Sequence, residues 1–156
     1  TDTNMQMYGL ATDQKKDVKN WLASSIATWK IAFGHHPYRS NGPHGNAGNY
    51  EGISWAPVLS GGGVKDFFED VVCGKADLYL SGHDHSRQWL SQTCNGTELV
   101  VSGAGASGSS LPGSNLTRFQ STATGFLYVR IEGKQLAAEF LNADGVVEFT
   151  RLLQKN

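Results

Sequence analysis

Long apolar runs are missing from this sequence. Nothing approaches the ~18 uninterrupted apolar residues of a membrane-spanning helix, so no segment reads as one. An excess of either charge is missing too. Thirteen Lys and Arg stand against fourteen Asp and Glu, a formal net charge of −1 over 156 residues. Neither nucleic acid nor an anionic membrane surface is therefore an expected partner. No Gly-x-Ser-x-Gly elbow is present, which removes the usual strand–turn–helix serine hydrolase. Without a basic patch, Trp21, Trp29, Trp55 and Trp89 read as core or pocket wall, not as a platform for bases. Cysteine is scarce. Cys73 and Cys94 bracket Gly82-His83-Asp84-His85, and a disulfide and two partly buried thiols are equally open readings. Asn95-Gly-Thr97 and Asn115-Leu-Thr117 match the glycosylation pattern, which occurs often by chance.

What is present is a layered α/β pattern. The spacing of Val18, Trp21 and Leu22 predicts a helix over 13–24, with Thr12 or Asp13 as cap. Val64, Phe67, Phe68 and Val71 predict a second helix, ending at Gly74. Short apolar runs at 30–33, 77–80 and 98–102 each stop at or just before a glycine and read as buried strands. The last third predicts an antiparallel meander over 126–131, 135–141 and 146–150, with Glu-Gly-Lys and Asn-Ala-Asp-Gly turns. Helix–strand alternation followed by a meander implies one α/β domain with a mixed sheet, whose functional loops follow the carboxyl ends of strands.

All five histidines fall in two short segments: His35, His36 and His44 in one, His83 and His85 in the other. Each segment follows a strand-like run and opens with Gly-His. A single histidine at a strand end is usually a hydrogen-bonding residue. Two Gly-His turns holding the whole histidine content point instead to metal, for which neutral imidazole is the commonest protein ligand. The alternatives weigh less. Gly103-Ala104-Gly105-Ala106-Ser107-Gly108 fits a dinucleotide fingerprint, but Ser109-Ser110-Leu111-Pro112-Gly113-Ser114 will not form the helix that fingerprint needs. It reads as a turn packed near the metal pocket. Asp66, Glu69 and Asp70 read as a solvated helix face.

The motifs carry a resemblance. Gly34-His35-His36-Pro37-Tyr38-Arg39-Ser40, Gly42-Pro43-His44-Gly45, Ser81-Gly82-His83-Asp84-His85 and Ser102-Gly103-Ala104-Gly105 are similar, in order and spacing, to the carboxyl-terminal half of calcineurin-like metallophosphoesterases. The tartrate-resistant, or purple, acid phosphatase branch is the nearest match. The motif resemblance runs from about Thr3 to about Gly105; beyond that it is architectural. It implies a four-layer β-sandwich flanked by helices, with residues 1–156 supplying the carboxyl-terminal half of a single domain. It further implies two metal ions of the iron, zinc or manganese type. By position, His35 and His83 would ligate one ion and His85 the other. His44 would contact the phosphate and protonate the leaving group, and His36 would line the substrate pocket. The implied reaction is hydrolysis of phosphate monoesters by a metal-bridged hydroxide. A phosphodiesterase on the same scaffold and a non-catalytic metal-binding module are the alternatives.

The family's remaining motifs are absent: no Asp-x-His, no Gly-Asp-x-x-Asp and no Gly-Asn-His. Imidazoles alone cannot neutralise and bridge two hard cations, which need anionic oxygen ligands. The chain begins at Thr1, not Met, and Thr1-Asp2-Thr3-Asn4 resembles the tail of a core strand. The expectation is a proteolytically processed precursor whose amino-terminal half stays bound as a separate chain and completes the site. A secreted or periplasmic location accords with this.

Overall fold

The mixed sheet that the sequence leads one to expect is built from five strands, not three. In the computed structural model, which describes residues 1–156, the chain runs α1 (Thr3–Met7), α2 (Thr12–Ser24), β1 (Ile31–Gly34), α3 (Gly62–Phe67), β2 (Leu78–Ser81), β3 (Arg87–Leu90), β4 (Glu98–Ser102) and β5 (Thr117–Ser121). It ends in β6 (Gly125–Glu132), β7 (Gln135–Asn142) and β8 (Val147–Gln154). The first sheet has the order β1-β2-β4-β3-β5, with β1, β2 and β4 parallel and β3 antiparallel to both its neighbours. The second is the antiparallel meander β6-β7-β8.

Two cores follow from strand alternation. On β4, Leu99 and Val101 face the helices, where they join Val64, Phe67, Phe68, Val71 and Tyr79. Val100 points the other way and meets Leu78 and Trp89, packed on Leu136, Ala138 and Phe140 of β7. The layers are therefore helices, mixed sheet and meander, a partial metallophosphoesterase-like α/β architecture. Arg87 ties the two sheets together. Its side chain is fully buried, and its guanidinium donates to the carbonyls of Ala123 and Leu141, to Ser121 Oγ, and to the carboxylate of Glu148 on β8.

Several local expectations change. Residues 3–7 form a helix, not the tail of a strand: Asp2 caps it, its Oδ1 accepting the Met5 N–H at 3.1 Å. Helix α2 begins at Thr12, itself one of the two expected caps, so Ala11 occupies the cap position without a side-chain bond. After α3 the chain continues as one π-helical turn, Phe68–Val72, before Gly74 breaks it with φ 75°. Cys73 and Cys94 are joined in a disulfide, Cα atoms 5.0 Å apart. Of the two glycosylation patterns, Asn95 lies exposed in a turn. The Asn115 amide nitrogen is instead engaged by Ser40 O, Asn41 Oδ1 and Asn46 Oδ1, leaving no room for a glycan.

The topology places the histidines. Because β1, β2 and β4 are parallel and Gly34 pairs with Ser81 and Ser81 with Val101, their carboxyl ends finish along one edge. The loops that begin at His35, Gly82 and Gly103 must all leave from that edge.

Candidate metal centre

Imidazoles from two of those loops meet. His35 Nε2 lies 3.0 Å from His83 Nδ1. The ring of His36 is 4.5 Å from that of His83, and the ring of His44 is 4.1 Å from it, centroid to centroid. One nitrogen from each of His35, His36 and His83 falls within 4.8 Å of the others, a spacing one cation could span. His83 is held at φ 65°, a left-handed conformation that a non-glycine residue adopts at local cost. The turn is secured by Gly82 N–H donating to the His35 carbonyl at 3.1 Å.

Burial and neighbouring rings keep two of these imidazoles neutral. Burial, followed by the neighbouring rings of His35 and His44, lowers the pKa of His36 to about 4. Burial, followed by repulsion from His36, His44, His35 and His85, lowers that of His83 to about 3. Unprotonated nitrogens crowded around one point are the donor set a metal requires, so the residues present fit the imidazole share of such a site. The carboxylate share is not in this group.

Each ring has a partner that fixes it. Thr3 Oγ1 is bonded to His36 Nδ1 at 2.9 Å and also accepts the His36 N–H at 3.0 Å. Tyr79 OH donates to the His36 carbonyl at 2.9 Å. Its phenol is pushed up by burial and so remains a donor. These contacts leave Nε2 as the free nitrogen of His36. His85 stands apart from the three-histidine group; its Nδ1 is bonded to Ser107 Oγ at 3.0 Å, and Ser109 N–H donates to its carbonyl at 2.7 Å. The glycine-rich segment is thus packed against the Gly-His-Asp-His loop. A Cβ on Gly103 would lie 2.1 Å from the Asp84 carbonyl oxygen.

His44 is positioned from two sides. Its backbone N–H donates to Asp84 Oδ1 at 3.1 Å, and its Nδ1 is paired with the Glu51 carboxylate. Asp84 is fully buried, and its Oδ2 has no partner. Gly42 must be glycine because a Cβ there would lie 2.2 Å from Asp84 Cγ.

Sequence reasoning thus names the rings but not their supports. Thr3, Glu51, Asp84 and Ser107 were all missed. Only Asp84 carried a visible signal, standing between two of the histidines. Glu51 is hidden in an unpatterned loop, and no sequence sign marks its left-handed backbone, φ 56°.

No family model matches the chain. Individual relatives do. It is 28% identical over 137 residues to purple acid phosphatase 3 of Arabidopsis thaliana, covering 85% of this chain and 34% of the relative. It is 36% identical over 91 residues to purple acid phosphatase 17 of the same plant, covering 58% and 23%. To tartrate-resistant acid phosphatase type 5 of Homo sapiens it is 31% identical over 155 residues, 92% of this chain and 43% of the relative. The chain is a relative of the purple acid phosphatases, within the metallophosphoesterases. The chain spans less than half the length of each relative named. In fold it is similar to GAP50, the anchor in the inner membrane complex of Plasmodium, with TM-score 0.72, 21% identity, and coverage of 96% of this chain and 44% of that one.

Proposed function

We propose that this chain is the histidine-bearing part of a dinuclear, acid phosphatase-like phosphomonoesterase. The observation that carries the reading is the convergence of His35, His36, His83 and His44 from two separate loops, two of the rings held neutral. His35 and His83 would hold one cation of the iron, zinc or manganese type, and His85 a second. Bound there, such a pair supplies Lewis acidity toward the phosphoryl group and activation of water. His36, locked by Thr3, walls the substrate pocket. Glu51 engages His44 Nδ1, which leaves Nε2 as the atom that gives a proton to the departing oxygen.

The absent carboxylates lead to a second part of the proposal: an amino-terminal segment of the same precursor supplies them. Two features support its docking place. β1 is an outer strand of its sheet, and an apolar groove beside it is lined by Trp21, Leu22, Trp29 and Phe33. The disulfide accords with an oxidising, exported location.

Metal analysis and turnover of the full protein test the reading together. We expect two metal ions per molecule and hydrolysis of 4-nitrophenyl phosphate exceeding that of the bis-aryl diester. A preference for the diester would favour the phosphodiesterase alternative. Metal retention without turnover of either ester would make this a binding module.

A further inference from the structure

His44 faces two ways. On one side its ring stacks near His83; on the other it forms part of the wall of a separate recess of about 370 Å³. The composition of that recess is unusual. Besides His44 it is lined by asparagines, serines, four glycines and two prolines, with no hydrophobic side chain. It contains no lysine, arginine, aspartate or glutamate.

Part of the wall is rigid. Asn115 Nδ2 donates to Ser40 O at 2.9 Å and to Asn46 Oδ1 at 3.0 Å, and Asn46 Oδ1 also accepts the Ser40 N–H at 3.0 Å. The buried Asn41 braces this wall from behind, donating to Asn115 O at 2.9 Å. Asn49 enters the fold through its backbone, donating to Asn46 O and accepting from Gly52 N–H. Its side-chain amide is exposed.

We propose that this recess receives the alcohol part of the substrate and that the substrate is the phosphate monoester of a sugar or other polyol. The inference rests on the phosphatase reading above, since it is His44 as proton donor that places the leaving group on the recess side. The chemistry of the lining selects the class. A second anionic group would find no lysine or arginine there, and an aryl group would meet mostly amides and backbone. Hydroxyl groups can exchange water for the asparagine amides and lay their C–H faces on the prolines. In the reaction, the oxygen of water bonds to phosphorus as the ester P–O bond breaks. The leaving oxygen takes the proton of His44 Nε2, and a proton released by the water restores it. The free alcohol and inorganic phosphate are the products.

The test uses the full, metal-loaded protein. Glucose 6-phosphate and 4-nitrophenyl phosphate are compared in the wild type and in N49L and S114L, which put aliphatic bulk into the recess. We expect the ratio of kcat/KM, sugar ester to aryl ester, to fall about tenfold in each variant, the scale of one net hydrogen bond. Side-chain amide resonances of asparagine, followed by NMR during titration with glucose 6-phosphate, give a readout independent of turnover. They should shift in the wild type and fail to shift in N49L. Hydrolysis of both esters with an unchanged ratio and unmoved amides overturns the recess while leaving the phosphatase reading intact. Amide shifts without hydrolysis of either ester support the recess and defeat the phosphatase reading.

Discussion

Glu51 grips His44 twice: its N–H donates to the His44 carbonyl at 3.0 Å, and its carboxylate meets the Nδ1 of the same residue. The loop between them is thereby closed at both main chain and side chain. The arrangement makes His44 a ring of fixed orientation even though it is partly open to solvent. His44→Ala is expected to lower turnover by about 10²–10⁴ with metal content unchanged. Glu51→Ala is expected to lower it by about 10- to 100-fold, as loss of an orienting partner does. Steady-state rates alongside elemental analysis decide this; equal turnover in E51A and wild type would show that the pair is ornamental.

His83 contacts more of the cluster than any other ring, and His36 is the best supported. His83→Ala should reduce metal affinity at least about tenfold. His36→Gln should leave metal bound and impair substrate binding, seen as a raised KM. Competitive chelator titration separates the two. Loss of metal in H36Q would instead make His36 a ligand, exchanging its proposed role with another ring.

Gly42→Ala drives a methyl group into the buried side chain of Asp84. Overpacking of this kind costs about 1–3 kcal/mol. Thermal unfolding should show it as a lowered Tm, with turnover falling further because Asp84 anchors the His44 backbone. An unchanged Tm would mean that the Asp84 carboxylate is free to swing away.

Acid should destabilise the metal-free protein. His36 and His83 are lowered from 6.5 to about 4 and about 3 in the folded chain. Between pH 6.5 and about 4 the unfolded chain therefore binds more protons than the folded one, so stability falls as pH falls through that window. Urea midpoints at pH 7, 5.5 and 4.5 should decline in that order. Replacing His36 by Gln should flatten the decline; an equal slope in H36Q would refute the assignment.

Reduction of Cys73–Cys94 releases a loop of sequence separation 21. Loop-closure entropy puts the expected cost at about 3 kcal/mol. Denaturant unfolding with and without reductant measures it, and coincident curves would show that packing alone holds the Gly-His-Asp-His segment.

The fold was largely legible where periodicity is strong, and illegible where it is absent. Strand β4 is legible as a short apolar run, and the meander, where β7 and β8 alternate cleanly, within a few residues. β3 escaped because two of its four buried residues are Arg87 and Gln88, which break the apolar run and are not expected in a core. β5 escaped because it follows a long Gly/Ser/Pro segment that reads as loop. The rings of the candidate site announced themselves through glycine–histidine turns. Their supports did not, because Thr3, Glu51 and Ser107 lie 33, 7 and 22 residues from the rings they hold. Contacts of that kind are set by topology, and no local pattern encodes them.

The Arg87 guanidinium lies two residues beyond His85 and reaches across to the carboxylate of β8. Truncating the chain before Glu148 would leave this buried cation without its counter-charge, held only by the carbonyls of Ala123 and Leu141 and by Ser121 Oγ. The terminal strand thus acts as a latch on the histidine turn, and damage to the tail should be felt at His85, two residues from Arg87.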